Sequence, residues 1–95
     1  MMSVLQNLEP ISKDPNILLY EELDEFTEVL FFMSGSYHVG YSINRKEHFP
    51  LRLGGCQCIG AYGVTFGKRA IFIYKTYEEC RGFFIRKNKW LLIMD

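Results

Sequence analysis

From residue 17 onward, short runs rich in β-branched and aromatic residues alternate with clusters of Gly, Asn, Asp and Glu. The runs cover residues 17–20, 28–33, 37–43, 48–53, 56–59, 70–76 and 80–85. Strand-like runs that recur about every eight to twelve residues, with turn residues between them, are typical of an all-β roll or sandwich. We therefore expect a mainly all-β fold, an antiparallel β-roll that forms a jelly-roll-like double-stranded barrel.

The third run has the clearest alternation of apolar and polar residues. Its aromatic and branched side chains recur at every second position, which places them on one face of a strand: Tyr37, Val39, Tyr41 and Ile43. The charged residues 44–47 predict a hairpin tip. Pro50 in the next run cannot donate a backbone hydrogen bond, so that strand is predicted to lie at a sheet edge or to carry a bulge.

Composition bounds the protein to one small globular domain. The chain has 95 residues, of which 48% are hydrophobic and 23% are charged, so it has enough apolar surface to fold. Eleven basic residues balance eleven acidic ones, and this argues against a nucleic-acid partner, which favours a basic stripe. The longest apolar runs, residues 29–33 and 90–94, are far shorter than the ~20 residues of a membrane span. We expect no direct membrane insertion by this chain and a cytoplasmic location.

The two ends of the chain differ from the strand-rich middle. Residues 1–16 contain Pro10 and Pro15 and predict an irregular or partly helical arm, with a short helix near residues 4–8. Residues 17–95 then form the roll. Near the other end, Asn88 is a candidate N-cap for a helix, and the sequence ends soon after that helix begins. We therefore expect a fragment, or a chain truncated at its C-terminal helix.

The cysteine and histidine content argues against a metal site and against catalysis. Three cysteines and no secretion signal indicate reduced thiols, which are expected to be buried or half-buried in strands. The spacing of Cys56 and Cys58 fits no structural zinc pattern. The sequence has no His-x-His pair, and no nucleophile–base arrangement or paired-carboxylate motif stands out, so we expect no enzyme activity and no cofactor.

Several segments, in this order, resemble a cyclic-nucleotide-binding domain: residues 20–22, 28–36, 59–60, 68–69 and 83–90. The segment 59–75 is most similar to the cytoplasmic domains of ciliate cyclic-nucleotide-gated or voltage-gated potassium channels. The resemblance implies an eight-stranded β-roll with a short helix in a phosphate cassette, the loop and helix that hold the ligand's phosphate. It also implies a C-terminal lid helix, which is missing from this sequence.

The same resemblance assigns the candidate ligand-binding residues Gly60, Ala61, Tyr62, Lys68, Arg69 and Ala70. In the family, a Glu directly after the cassette glycine accepts the ribose hydroxyl, and an Arg further along holds the phosphate. Here Ala61 replaces that Glu, and Arg69 fits the arginine if the cassette is one residue shorter. Loss of a charge-assisted hydrogen bond costs roughly 1.5–3 kcal/mol, about 10- to 150-fold in affinity. We therefore expect weak or absent binding of cAMP or cGMP.

Purely structural readings of these residues stay open. Lys68 and Arg69 also fit a solvated turn, and Gly60 and Gly63 also fit a need for positive φ or close backbone approach. Leu23 stands where the family has a glycine in the first turn.

Three aromatic residues have structural interpretations as well. Tyr62 and Phe66 are expected to be core rings on the short helix rather than groups that stack on a base. Trp90 is expected to anchor the C-terminal helix on the roll.

Two functions follow from the resemblance. The first is a regulatory cyclic-nucleotide-binding-like domain of a cation (potassium) channel, on the cytoplasmic side of a membrane, with other channel subunits or linker segments as partners. The second is a ligand-free structural roll that mediates subunit contacts. The missing Glu at position 61 favours the second, and Arg69 favours the first.

Overall fold

The computed structural model describes residues 4–94, which form eight strands and three short helices. In chain order these are α1 (Val4–Asn7), β1 (Glu9–Lys13), β2 (Leu18–Tyr20), β3 (Glu28–Ser34), β4 (Ser36–Ile43), β5 (Lys46–Gly54), β6 (Gln57–Ile59), α2 (Ala61–Phe66), β7 (Ile73–Thr76), β8 (Cys80–Arg86) and α3 (Lys87–Met94). Every run that the sequence pattern predicts as a strand contains one.

The strands form two four-stranded sheets, in the orders β1-β8-β3-β6 and β2-β7-β4-β5. All neighbouring strands are antiparallel. The core lies between the two sheets, and its most deeply buried large side chains are Phe32, Ile85, Val29 and Val64. Burial of such side chains contributes roughly 1.5–3 kcal/mol each. The predicted all-β antiparallel roll, with a short helix after β6, is confirmed.

The β4–β5 hairpin shows how local sequence sets strand geometry. The register pairs Val39 with Leu51 and Tyr41 with His48, so residues 49 and 50 both oppose Gly40. Strand β5 is also at the edge of its sheet, so both predictions for Pro50 hold. Of the alternating face, Tyr37 and Val39 are buried, whereas Tyr41 and Ile43 are exposed because they lie toward the hairpin tip.

The N-terminal segment departs from the expected irregular arm. Helix α1 lies where a short helix was expected, but residues 9–13 form β1, which pairs with β8 from Glu9↔Phe84 to Lys13↔Cys80. Pro10 is tolerated because β1 is an edge strand with one free side. Strand β1 is therefore one of the four strands of the first sheet. Its partner β8 is far along the chain, so residues 9–13 alone do not indicate the pairing.

Helix α3 begins at Lys87, one residue before the predicted N-cap Asn88. Its Trp90 is half-buried, with its ring centroid 6.2 Å from that of Phe31 on β3. This contact confirms Trp90 as an anchor of the helix on the roll. Within residues 4–94, no helix is long and apolar enough to cross a bilayer.

The three thiols are free, but only Cys80 is buried. Cys56 and Cys58 are exposed, which corrects the expectation that all three would be buried or half-buried. Cys58 lies on β6, an edge strand of the first sheet, and Cys56 lies in the bend before that strand, so solvent reaches both.

Candidate functional site: the cassette cavity

The short helix α2 begins at a glycine whose backbone other residues rarely adopt. Gly60 has φ +95° and caps the helix without a side-chain hydrogen bond, while its carbonyl accepts a 2.8 Å bond from the Val64 amide. Only glycine adopts such a conformation at little cost. The structural reading of Gly60 is therefore correct, and this turn sets where α2 lies on the roll.

Gly63 lets α2 approach the core closely. A Cβ at this position would lie 2.1 Å from Cδ2 of Phe26. The Phe26 ring in turn packs edge-on against Tyr20, with centroids 4.7 Å apart, and against Tyr74, at 6.2 Å. The close approach therefore builds one aromatic wall below the cassette helix.

Backbone hydrogen bonds hold the segment after α2 against the β2–β3 turn. The Ala70 amide donates to the Asp24 carbonyl at 2.9 Å, and the Leu23 amide donates to the Ala70 carbonyl at 2.7 Å. Nη1 of Arg69 donates to the carbonyl of Leu23 at 3.0 Å. Arg69 is exposed, and this hydrogen bond lays its side chain across the turn.

Leu23 adopts φ +72°, at the position where the resemblance expects a glycine. Its side chain is 71% exposed, so packing does little to offset the strain. A left-handed residue with a Cβ costs about 1–2 kcal/mol. The turn therefore has a backbone conformation that favours glycine, although Leu23 occupies this position.

Between this turn and α2 lies a cavity of about 500 Å³, which we call the cassette cavity. Its lining is Leu23, Phe26, Tyr62, Gly63, Lys68, Arg69, Ala70, Ile71, Phe72 and Tyr74. The volume falls in the range of about 300–1,000 Å³ that is usual for small-molecule sites. Lys68 and Arg69 are its cationic side chains, and no carboxylate is among these lining residues. The cavity can therefore attract a small anion with an apolar body.

The structure brings together four of the six predicted site residues, Tyr62, Lys68, Arg69 and Ala70. Gly60 and Ala61 shape the start of α2 without lining the cavity. Sequence reasoning missed the aromatic residues Phe26, Phe72 and Tyr74. The strand-like run 70–76 held a signal for two of them, since alternate residues of such a run share a face.

Tyr62 and Phe66 are not core rings, which corrects the expectation. Their exposed fractions are 67% and 62%, and their ring centroids lie 4.9 Å apart. The six-residue helix buries Val64 on its inner side, which leaves the flanking rings outside. Tyr62 thus stands at the edge of the cassette cavity.

Two contacts join the cassette to α3. The Trp90 indole Nε1 donates to Oγ1 of Thr65 on α2 at 2.8 Å. Lys87, the first residue of α3, donates from Nζ to the carboxylate of Glu25, whose backbone pairs with Arg69. The hydrogen bond and charge of Lys87, with a smaller contribution from the charge of Arg69, lower the pKa of Glu25. Arg69 is therefore connected to α3 through Glu25, whose backbone pairs with Arg69 and whose carboxylate binds Lys87.

The thiols and acids offer no arrangement for metal or redox chemistry. In the described part of the chain, no three His, Cys, Asp or Glu residues lie close enough together to hold a metal ion. Burial raises the pKa of Cys80, and partial desolvation raises the pKa of Cys58 although that residue is exposed overall; both shifts favour unreactive thiols.

Neither a protein-family model nor a curated protein sequence matches this chain. Solved structures do match. The regulatory domain of Toxoplasma gondii PKA with cAMP is 13% identical with a TM-score of 0.84, and the match covers 95% of this chain and 34% of that one. A cAMP-binding acyltransferase from Mycobacterium smegmatis is 14% identical with a TM-score of 0.71, over 94% and 28% of the two chains. The EAL enzyme Bd1971 in its cGMP-bound form is 13% identical with a TM-score of 0.77, over 88% and 22%.

This chain therefore spans about a third or less of the length of these three proteins, two of which are named as enzymes. At such low identity the match concerns the fold alone. The chain has the β-roll fold of the cyclic-nucleotide-binding domains.

Proposed function

We propose that this chain is a regulatory, non-catalytic cyclic-nucleotide-binding domain that holds its ligand weakly in the cassette cavity. The observation that carries the proposal is Arg69, which lines the cavity and is held by the Leu23 carbonyl. The solved neighbours are described with cAMP or cGMP bound, and this supports a cyclic nucleotide as the ligand class.

Arg69 can bind the phosphate while it keeps its hydrogen bond to the Leu23 carbonyl. A guanidinium has five N–H donors in a planar fork, and the Leu23 carbonyl engages one of its nitrogens. Among the described residues no other bond of the guanidinium is found, so further donors can form charge-assisted bonds, which are about twice as strong as neutral ones. The bond to Leu23 reduces the number of side-chain conformations that binding would have to restrict, so it preorganises the arginine.

Weak affinity follows from Ala61. Its methyl group offers no acceptor for a ribose hydroxyl, and no carboxylate from elsewhere lines the cavity. The missing charge-assisted bond costs roughly 1.5–3 kcal/mol, or about 10- to 150-fold in affinity. We therefore propose a dissociation constant for cAMP that is weaker by this factor than that of a matched carboxylate variant.

The regulatory role rests on the contacts with α3. A ligand that binds Arg69 perturbs the β2–β3 turn, which contains Glu25. The Glu25 carboxylate in turn binds Lys87, the first residue of α3. The Trp90–Thr65 bond connects α2 to the same helix. A ligand shifts a conformational equilibrium only by its differential affinity for the two states, and these contacts are where α3 can differ between them.

We further propose that the parent protein is a cation (potassium) channel, with this domain on the cytoplasmic side of the membrane and other subunits or linker segments as partners. The support for this part is the sequence resemblance of residues 59–75 to ciliate channel domains. Co-purification of the full-length parent protein with membranes, and its potassium conductance in a bilayer, test this part.

The alternative function is a roll that binds no ligand and mediates subunit contacts. The absent carboxylate at Ala61 favours it. So does the apolar surface at the cavity mouth, where Tyr62, Phe66, Ile71 and Phe72 are exposed, because clustered exposed apolar side chains often mark an interaction site.

Titration calorimetry with millimolar cAMP and cGMP separates the two functions. We expect weak binding to the unmodified chain, about 10- to 150-fold tighter binding to Ala61→Glu, and no such gain for the uncharged control Ala61→Gln. Arg69→Gln should remove the binding. Absence of heat from the unmodified chain and from Ala61→Glu alike would refute the ligand-binding proposal and favour the alternative.

A further inference from the structure

We propose that the cassette cavity prefers flat aromatic monoanions that carry no sugar over cyclic nucleotides. This inference rests on the proposed function only in that both place the ligand in the same cavity. It names a different chemical class, and it is argued from the lining side chains.

The body of the cavity is almost entirely hydrocarbon. Seven of its side chains are apolar or aromatic: Leu23, Phe26, Tyr62, Ala70, Ile71, Phe72 and Tyr74. Several of these, including Leu23, Ile71 and Phe72, are exposed large hydrophobic residues, so a bound ring would remove them from water. Burial of apolar surface is favourable by about 25 cal/mol per Å², and aromatic rings pack well against other rings.

The charge of the lining is positive and lacks a counter-charge. Lys68 and Arg69 contribute cations, and among the described residues neither makes a salt bridge with a carboxylate. Glu25 on the turn, whose pKa the charge of Arg69 helps to lower, forms its ion pair with Lys87. An anionic group on the ligand would therefore meet two cations that have no side-chain ion partner.

A sugar gains nothing comparable in this cavity. The hydroxyl-bearing side chains of the lining are Tyr62 and Tyr74, neither of which is a carboxylate acceptor, and burial raises the pKa of Tyr74. A ribose hydroxyl that loses water without a good acceptor costs about 1–3 kcal/mol. A ligand with the same negative charge and a ring in place of the sugar avoids that cost.

Two fluorescent probes of similar shape test this preference. 1-Anilinonaphthalene-8-sulfonate is a sugar-free monoanion with two aromatic ring systems, and N-phenyl-1-naphthylamine is its neutral counterpart. We expect the sulfonate to bind the native chain and Arg69→Gln to weaken it by about 10-fold or more. Lys68→Gln should weaken it by a smaller factor, and the neutral probe should change little in either variant.

The matched control is Arg81→Gln. Arg81 is an exposed arginine that pairs with Glu79 and lines a separate groove of about 630 Å³ on the first sheet. The control should leave sulfonate binding unchanged. Sulfonate binding that survives Arg69→Gln, or that is lost in Arg81→Gln instead, overturns the inference. Urea unfolding of each variant verifies that the folded state is being compared.

Displacement of the sulfonate by cAMP distinguishes this inference from the proposed function. We expect cAMP to displace the probe only at concentrations at least ~10-fold above the probe's dissociation constant. If cAMP binds more tightly than the sulfonate, the inference fails and the proposed function stands. If cAMP never displaces a probe whose binding depends on Arg69, the proposed function fails and the inference stands.

Discussion

Gly63→Ala tests whether the cassette helix packs directly on the aromatic wall. The added Cβ would lie 2.1 Å from Cδ2 and 2.6 Å from Cε2 of Phe26, whereas ordinary contacts begin near 3.4 Å. The Phe26 ring must therefore retreat by more than 1 Å, although Tyr20 packs behind it. Overpacking of this kind costs roughly 1–3 kcal/mol, and the better helix propensity of alanine returns up to about 1 kcal/mol.

We therefore expect Gly63→Ala to lower the free energy of unfolding by about 1–2 kcal/mol. That loss corresponds to a fall in Tm of roughly 4–16 °C for a domain of this size. Urea unfolding followed by the fluorescence of Trp90 measures the loss. Phe26→Leu in the same chain should restore part of it, with a coupling energy of about 0.5–3 kcal/mol in a double-mutant cycle. An unfolding midpoint at or above that of the unmodified chain would refute the packing described here.

Three further predictions concern strain and titration. Leu23→Gly should raise the free energy of unfolding by about 0.5–1 kcal/mol, because glycine relieves the positive φ; the control Leu18→Gly, in a strand, should lower it, and equal effects in urea unfolding would contradict the argument. Burial raises the pKa of Tyr37 from 10.0 to about 12, so stability should fall by about 1–3 kcal/mol as pH rises through that interval; Tyr37→Phe should reduce this fall, and an unchanged alkaline profile would count against it. The pKa of Glu25 lies below its ordinary 4.5, so the contribution of its ion pair to stability is present at neutral pH and is lost as pH falls through the lowered value. Lys87→Met should flatten this part of the acid unfolding profile. A profile as steep as that of the unmodified chain would show that the ion pair contributes nothing.

The sequence pattern predicts the strands well because period-two alternation and turn residues act locally. Residues 37–43 and 80–85 needed no knowledge of their partners. Strand β1 was missed because Pro10 and its polar neighbours carry no such pattern, and pairing with β8 alone makes them a strand. The exposure of Cys58 was missed for the same reason. The residue pattern of β6 does not show whether the strand lies at the edge or in the centre of its sheet, because strand order is set by tertiary structure.

The candidate site was predicted in part for a similar reason. Arg69 was identified from the cassette motif, but its hydrogen-bond partner is the backbone carbonyl of Leu23. Every residue has a backbone carbonyl, so the sequence does not indicate which one the arginine will bind. The Glu25–Lys87 pair joins residues that are far apart in sequence. Tyr62 and Phe66 were assigned to the core on hydrophobicity alone, whereas a six-residue helix on the surface of a roll has room to bury only one face.

The central claim is that a cyclic nucleotide binds beside Arg69, between α2 and the β2–β3 turn. Amide chemical shifts of the isotopically labelled chain, recorded during a cAMP titration to millimolar concentration, test it most directly. We expect progressive shifts at Gly60, Arg69 and Ala70 and, through Thr65, at the Trp90 indole N–H. Shifts confined to the groove beside Arg81, or no shift at residues 60–70, would contradict it.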